Sequence, residues 1–79
     1  MKAKVTVMLK VGVLDPQGEA VKHALNSLEY NMVESVRQGK VIELVLNETS
    51  EERANNSIKE MCEKLLANTV IESYEIEII

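Results

Sequence analysis

Residues 3–11 alternate, with Ala3, Val5, Val7, Leu9 and Val11 on one side of an extended chain and Lys4, Thr6, Met8 and Lys10 on the other. This period of two predicts a half-buried strand. Asp15 then suits a helix N-cap and Pro16 the first helical position, where a missing amide hydrogen costs nothing. The helix should run to about Leu28 or Glu29, because Val21, Ala24, Leu25 and Leu28 recur at the spacing of a buried stripe. Tyr30 and Asn31 read as a turn. Two extended segments come next, 32–37 and 40–46, divided at Gln38 and Gly39 by an expected tight hairpin. Thr49 and Glu52 have the spacing of a capping box for a second helix, whose apolar stripe is Ala54, Ile58, Met61, Cys62 and Leu65. That helix should end near Ala67, Asn68 and Thr69, before a last strand in which Tyr74, Ile76 and Ile78 alternate with Glu75 and Glu77.

The order strand, helix, strand, strand, helix, strand predicts an α+β fold. It is the ferredoxin-like split βαβ (βαββαβ), one domain over residues 1–79 with an antiparallel sheet and two helices on one face. The sheet's other face must then meet water or a partner. It should carry Met8, Val41 and Val45 beside Thr6, Lys10, Glu43, Glu75 and Glu77, which is more apolar than solvent requires. The apolar end, Ile78-Ile79, suggests a last strand held at an edge between subunits.

Size sharpens that expectation. A chain of 79 residues has a thin core, of a kind that disulfides, a metal or oligomerisation usually reinforces. One cysteine, Cys62, excludes an internal disulfide, and one histidine, His23, disfavours a structural zinc site, so self-association is the route left open. The net charge of -4 repels phosphate backbones and anionic lipid, which points away from nucleic acid and membrane partners. No apolar run is long enough to span a bilayer and no signal-peptide pattern opens the sequence, so a cytoplasmic location is expected.

Catalytic chemistry is hard to place. Cys62 falls on the inward stripe of the second helix, where a thiol is inert, and His23 lies on the opposite side of its helix from Val21 with no acid or nucleophile spaced to work with it. Gly39-Lys40 lacks the rest of a phosphate-binding loop, and Asp15 places a carboxylate where an anion would otherwise sit at the helix start. The many glutamates read as solvated faces. The absence of Phe and Trp argues against an aromatic platform for bases. Acylphosphatases share the predicted topology but need an arginine in the loop after the first strand, where this chain has none.

Three segments taken together carry a resemblance: Leu14-Asp15-Pro16-Gln17-Gly18, Val36-Arg37-Gln38-Gly39-Lys40, and Met61-Cys62-Glu63-Lys64-Leu65-Leu66-Ala67-Asn68-Thr69-Val70-Ile71-Glu72. In this order, across nearly the whole chain, they resemble the PurS family, the small subunits of phosphoribosylformylglycinamidine synthase. Glu29 stands where that pattern leads one to expect glycine, and Thr69 where proline is common. The resemblance implies a non-catalytic accessory subunit of a glutamine- and ATP-dependent carbon–nitrogen ligase in de novo purine synthesis. It implies a homodimer or higher homo-oligomer that bridges a glutaminase, PurQ, and a synthetase, PurL, and supports ammonia transfer between them. ATP and magnesium would belong to PurL, with no cofactor, metal or catalytic residue in this chain. Candidate contact residues are Asp15, Pro16, Gln17, Gly18, Arg37, Gly39, Lys40 and Asn68. The alternative is an ACT-like small-molecule-binding regulatory module of the same topology.

Overall fold

Strict alternation makes β1 (Lys2–Leu9), and hydrogen-bonding on both sides puts it at the centre of the sheet, in the order β2-β1-β3. In this computed structural model, which describes residues 1–79, the elements run β1, α1 (Pro16–Ser27), β2 (Gly39–Val45), α2 (Glu51–Met61) and β3 (Glu72–Ile78). Both strand pairs are antiparallel, with Val5 opposite Ile42 and Ile76, and Ala3 opposite Leu44 and Ile78. Opposed residues share a face, so these rows put the apolar positions of all three strands on one side.

That side is covered by α2. Ala54, Ile58 and Cys62 recur every four residues and are buried; Ile58 and Cys62 join Ala3, Val5, Val7 and Ala67 in the core cluster. Burying Val5, Val7 and Ile58 fully stabilises the fold by roughly 1.5–3 kcal/mol each. The cap of α2 is Ser50 and not Thr49: its hydroxyl accepts from Arg53 N at 3.3 Å. Moving the cap one residue puts Arg53 where the expected box has an acid. Glu48 answers instead from before the helix, accepting from Ser50 N at 3.2 Å and from Arg53 Nε at 2.8 Å.

The end of α2 widens into a π-helical turn, Cys62–Leu66, closed by Ala67 N donating to Cys62 O at 3.1 Å. The extra residue rotates the rest of the helix end about its axis, so Leu65, expected on the stripe, is 83% exposed while Leu66 and Ala67 turn inward.

The expected second strand is absent, and the physical reason lies at the intended hairpin. A two-residue turn favours Asn or Asp, or a glycine, at its first central position, and Gln38 is neither. No turn forms there. Instead Gln38 N donates to Asp15 Oδ2 at 2.9 Å, and the chain runs from the irregular segment 33–38 straight into β2. Residues 10–38 therefore form an arm in which α1 goes out and 28–38 return. No residue of α1 belongs to the core cluster, and only α2 packs on the sheet. The molecule measures 49 × 24 × 14 Å with a radius of gyration of 16.0 Å. A compact domain of this length would have about 12 Å.

Within the arm, α1 turns Gly18, Lys22, Leu25 and Asn26 inward. The stripe read from the sequence is thus mostly outward: Val21 is 40% and Leu28 67% exposed. After Ser27, Glu29 adopts φ 72, the left-handed conformation that usually calls for glycine after a helix.

Candidate functional site

The root of the arm, where α1 leaves β1 and the return segment rejoins the sheet, gathers most of the candidate residues. Asp15 organises it. One carboxylate oxygen accepts from Gly18 N at 2.8 Å, capping α1, and the other accepts from Gln38 N, 23 residues on in the chain. These two backbone donors, Gln38 first and Gly18 second, hold the Asp15 carboxyl below the usual aspartate range, with Arg37 adding a smaller attraction. Pro16 begins the helix, as its fixed φ and missing N–H suit.

Gly18 is required by space. A Cβ there would collide with the Val36 carbonyl oxygen and the Asp15 carboxylate, so no other residue lets α1 and the return segment lie this close. Arg37 crosses to β1, where its guanidinium donates to Leu9 O. At Gly39 a side chain would meet the Val7 carbonyl and the Met8 thioether, so this position is set by the approach of β2 to β1.

Between these groups is a shallow cleft of about 240 Å³, whose polar walls are Asp15, Gln17, Gln38, Lys40 and Glu72 above the apolar Val7 and Leu9. A second hollow, about 430 Å³, adjoins it at Leu9, Asp15 and Gln38 and includes Val11, Leu14, Val36 and Arg37. Asn68 stands apart. It shapes the entry to β3, its Oδ1 accepting from Val70 N at 3.2 Å, while its own N–H donates to Glu72 Oε1 at 2.6 Å. Through Glu72 that turn adjoins the cleft. Gln38 and Glu72 are the site residues that sequence reasoning missed. Gln38 contributes through its backbone, which carries no side-chain signal, and Glu72 is one glutamate among many.

None of these groups is a nucleophile paired with a base. No three His, Cys, Asp or Glu side chains come together to hold a metal ion. Cys62 is buried, and burial, with Glu63 beside it, pushes its thiol up and away from the reactive thiolate. No helix is long and apolar enough to cross a membrane. The arrangement can therefore hold an arm at a fixed angle and present polar groups around it, but its residues assemble no recognisable bond-making machinery.

A comparison with known families decides whose architecture this is. The family model described as PurS, phosphoribosylformylglycinamidine (FGAM) synthase, matches residues 2–79. The chain belongs to the PurS family. It is 58% identical over 77 residues to the phosphoribosylformylglycinamidine synthase subunit PurS of Bacillus subtilis, covering 98% of this chain and 90% of that protein. Its counterpart in Methanocaldococcus jannaschii is 44% identical, at 98% and 93% coverage. Among solved structures, Bacillus subtilis PurS superposes with a TM-score of 0.86 at 59% identity, over 96% of this chain and 94% of that one. A chain of the PurLQS structure from Thermotoga maritima superposes at 0.87 with 34% identity, over 96% and 93%. Membership bears out the resemblance carried by the three segments and favours the PurS reading over the ACT-like alternative. The α+β class and the antiparallel sheet with two helices stand as well, with three strands in place of four.

Proposed function

We propose that this chain is the accessory subunit that brings a PurQ-type glutaminase and a PurL-type synthetase together, so that ammonia released from glutamine reaches the synthetase. The observation that carries the reading is the whole-chain likeness to a chain of the PurLQS assembly of Thermotoga maritima. ATP and magnesium belong to the PurL-type partner, and this chain supplies shape and contact. In this reading the complex works in the cytoplasm. Self-association is part of the reading, because only eight of 79 residues are buried and a core that small gains from a second copy.

The root of the arm is the proposed contact region. Gln17 and Lys40 are exposed and free to meet a partner, whereas Asp15, Pro16, Gly18 and Gly39 act by fixing the backbone that presents them. Arg37 and Asn68 hold the flanking turns.

The test is reconstitution with the PurL-type and PurQ-type subunits of the same source, following glutamine-dependent and ammonia-dependent product formation. Glutamine-driven turnover should require this chain while ammonia-driven turnover does not. If both proceed equally without it, the bridging role is wrong.

A further inference from the structure

β3 leaves one edge of its backbone without a partner. It is the end strand of the order β2-β1-β3, and its register with β1 is anchored at both ends, by Lys10 N donating to Ile71 O and Ile79 N donating to Lys2 O. Hydrogen-bonded pairs alternate along an antiparallel ladder, so Ser73, Glu75 and Glu77 direct their N–H and C=O at β1. Those of Tyr74, Ile76 and Ile78 point away from the sheet, and no turn or loop bond reaches them. Proteins usually blunt such an edge with lysine, proline, a bulge or a very short strand. β3 has seven residues, neither lysine nor proline, and a register that runs unbroken from Glu72 to Ile78. On the side facing α2, Tyr74, Ile76 and Ile78 are only partly covered, although Ala3, Val5 and Val7 beside them on β1 are buried.

A strand laid on this edge would complete those hydrogen bonds and cover that apolar row, and its composition can be read from β3. Neighbours in a sheet share a face, so residues beside Tyr74, Ile76 and Ile78 must be apolar, while those beside Ser73, Glu75 and Glu77 lie on the open face. On that face β3 carries two carboxylates and no cation. Glu77 pairs with Lys4 at 3.6 Å, and Glu75 forms no ion pair. A second copy of β3 fits poorly, because antiparallel pairing about its middle sets Glu75 against Glu75 or against Glu77, and like charges directly opposite destabilise a pair. We infer that the outer edge of β3 receives an extended segment of a partner subunit in which apolar residues alternate with lysine or arginine. The segment adds a strand to the sheet, its apolar side chains closing the core beside Ile76 and its cations meeting Glu75. β3 begins at the cleft, through Glu72, so the added strand carries the contact region from the root of the arm onto the body. This inference rests on the bridging role proposed above, and it adds a surface and the chemistry of what binds there.

The test is amide hydrogen exchange over β3, in the chain alone and in its assembly with the PurL-type and PurQ-type subunits. Alone, Ser73, Glu75 and Glu77 should exchange slowly and Tyr74, Ile76 and Ile78 quickly; in the assembly the outer three should slow by about 100-fold. Two variants separate backbone from charge. Methylation of the Ile76 amide nitrogen, introduced by chemical synthesis, removes an outward donor while keeping the side chain and the pairing with β1, and should weaken assembly by about 10-fold with the urea midpoint unchanged. Glu75→Lys, at an exposed position, should weaken it by about 5-fold at low salt and by less at high salt. If the assembly forms while the outer three amides stay fast, the edge is wrong and the bridging role stands. Outer amides already slow in the chain alone overturn the partner strand, because a second copy then holds the edge. A chain that assembles with neither subunit overturns both. Should the methylated chain fail to fold, the exchange rates and Glu75→Lys still decide the matter.

Discussion

The body and the arm are built by opposite rules. In the body, three strands and α2 bury Ala3, Val5, Val7, Ile58 and Cys62 essentially completely, and every strand residue of β1 from Lys2 to Met8 is paired to at least one neighbouring strand, most of them to both. In the arm, Gly18 alone is buried, and the structure is held by a carboxylate, a guanidinium and two backbone amides. The body is stable because water is excluded from it. The arm is directed, which is a different property: it keeps an angle while leaving its apolar residues available.

Substitutions should separate these two properties. The largest effect is expected in the body, where Ile58→Ala would cost about 2–5 kcal/mol and leave little of a small domain's stability, read from urea unfolding. Gly18→Ala comes next, because its Cβ must displace backbone at Val36; about 1–3 kcal/mol is expected, with a loss of glutamine-dependent turnover on reconstitution.

Acid should loosen the root of the arm. The carboxyl of Asp15 is held below its ordinary 3.8 by the amides of Gln38 and Gly18, and that of Glu48 below 4.5 by Arg53 and the amide of Ser50. Groups depressed in the folded state contribute stability that is present above the ordinary value and lost as pH falls through the folded one. Melting temperature should therefore hold from neutral pH down to these ordinary values and decline below them. In Asp15→Asn part of that decline should disappear, and an unchanged acid limb would remove Asp15 from the account. A modest gain is expected from Glu29→Gly, which relieves a left-handed residue and should raise stability by about 1 kcal/mol in thermal unfolding. The smallest effect on stability belongs to the outward stripe. Leu28→Ala should change the isolated chain by no more than about 0.5 kcal/mol while weakening self-association measured by sedimentation. Equal stability losses at Ile58 and Leu28 would erase the distinction between body and arm.

Local signals in the sequence were legible and distant ones were not. The alternation of β1, the Asp15 cap and the alternation of β3 each depend on residues within one turn or one pleat, and all three formed as expected. The hairpin depended on whether a suitable turn would bring a neighbour alongside, and residues 33–38, though patterned as a strand, found none in their own chain. The capping box was expected at Thr49, and the folded geometry puts the cap one residue on, at Ser50. The second role of Asp15, accepting from Gln38, crosses 23 residues and leaves no spacing to read. The resemblance brought Asp15, Gly18, Arg37, Gly39 and Lys40 together as candidates before their geometry was visible, and the structure explains the two glycines by close approach.

The π-helical turn at Cys62–Leu66 also bears on what lengths of chain this fold can accept. Closing over five residues instead of four, it stores one residue beyond what an α-helical turn needs. A chain shorter by one residue in that stretch could close the turn as ordinary α-helix, and the Asn68 turn and the pairing of β3 with β1 would keep their register. A single-codon deletion is thus better tolerated there than inside β1, where one lost residue would send every later side chain of the strand to the opposite face of the sheet.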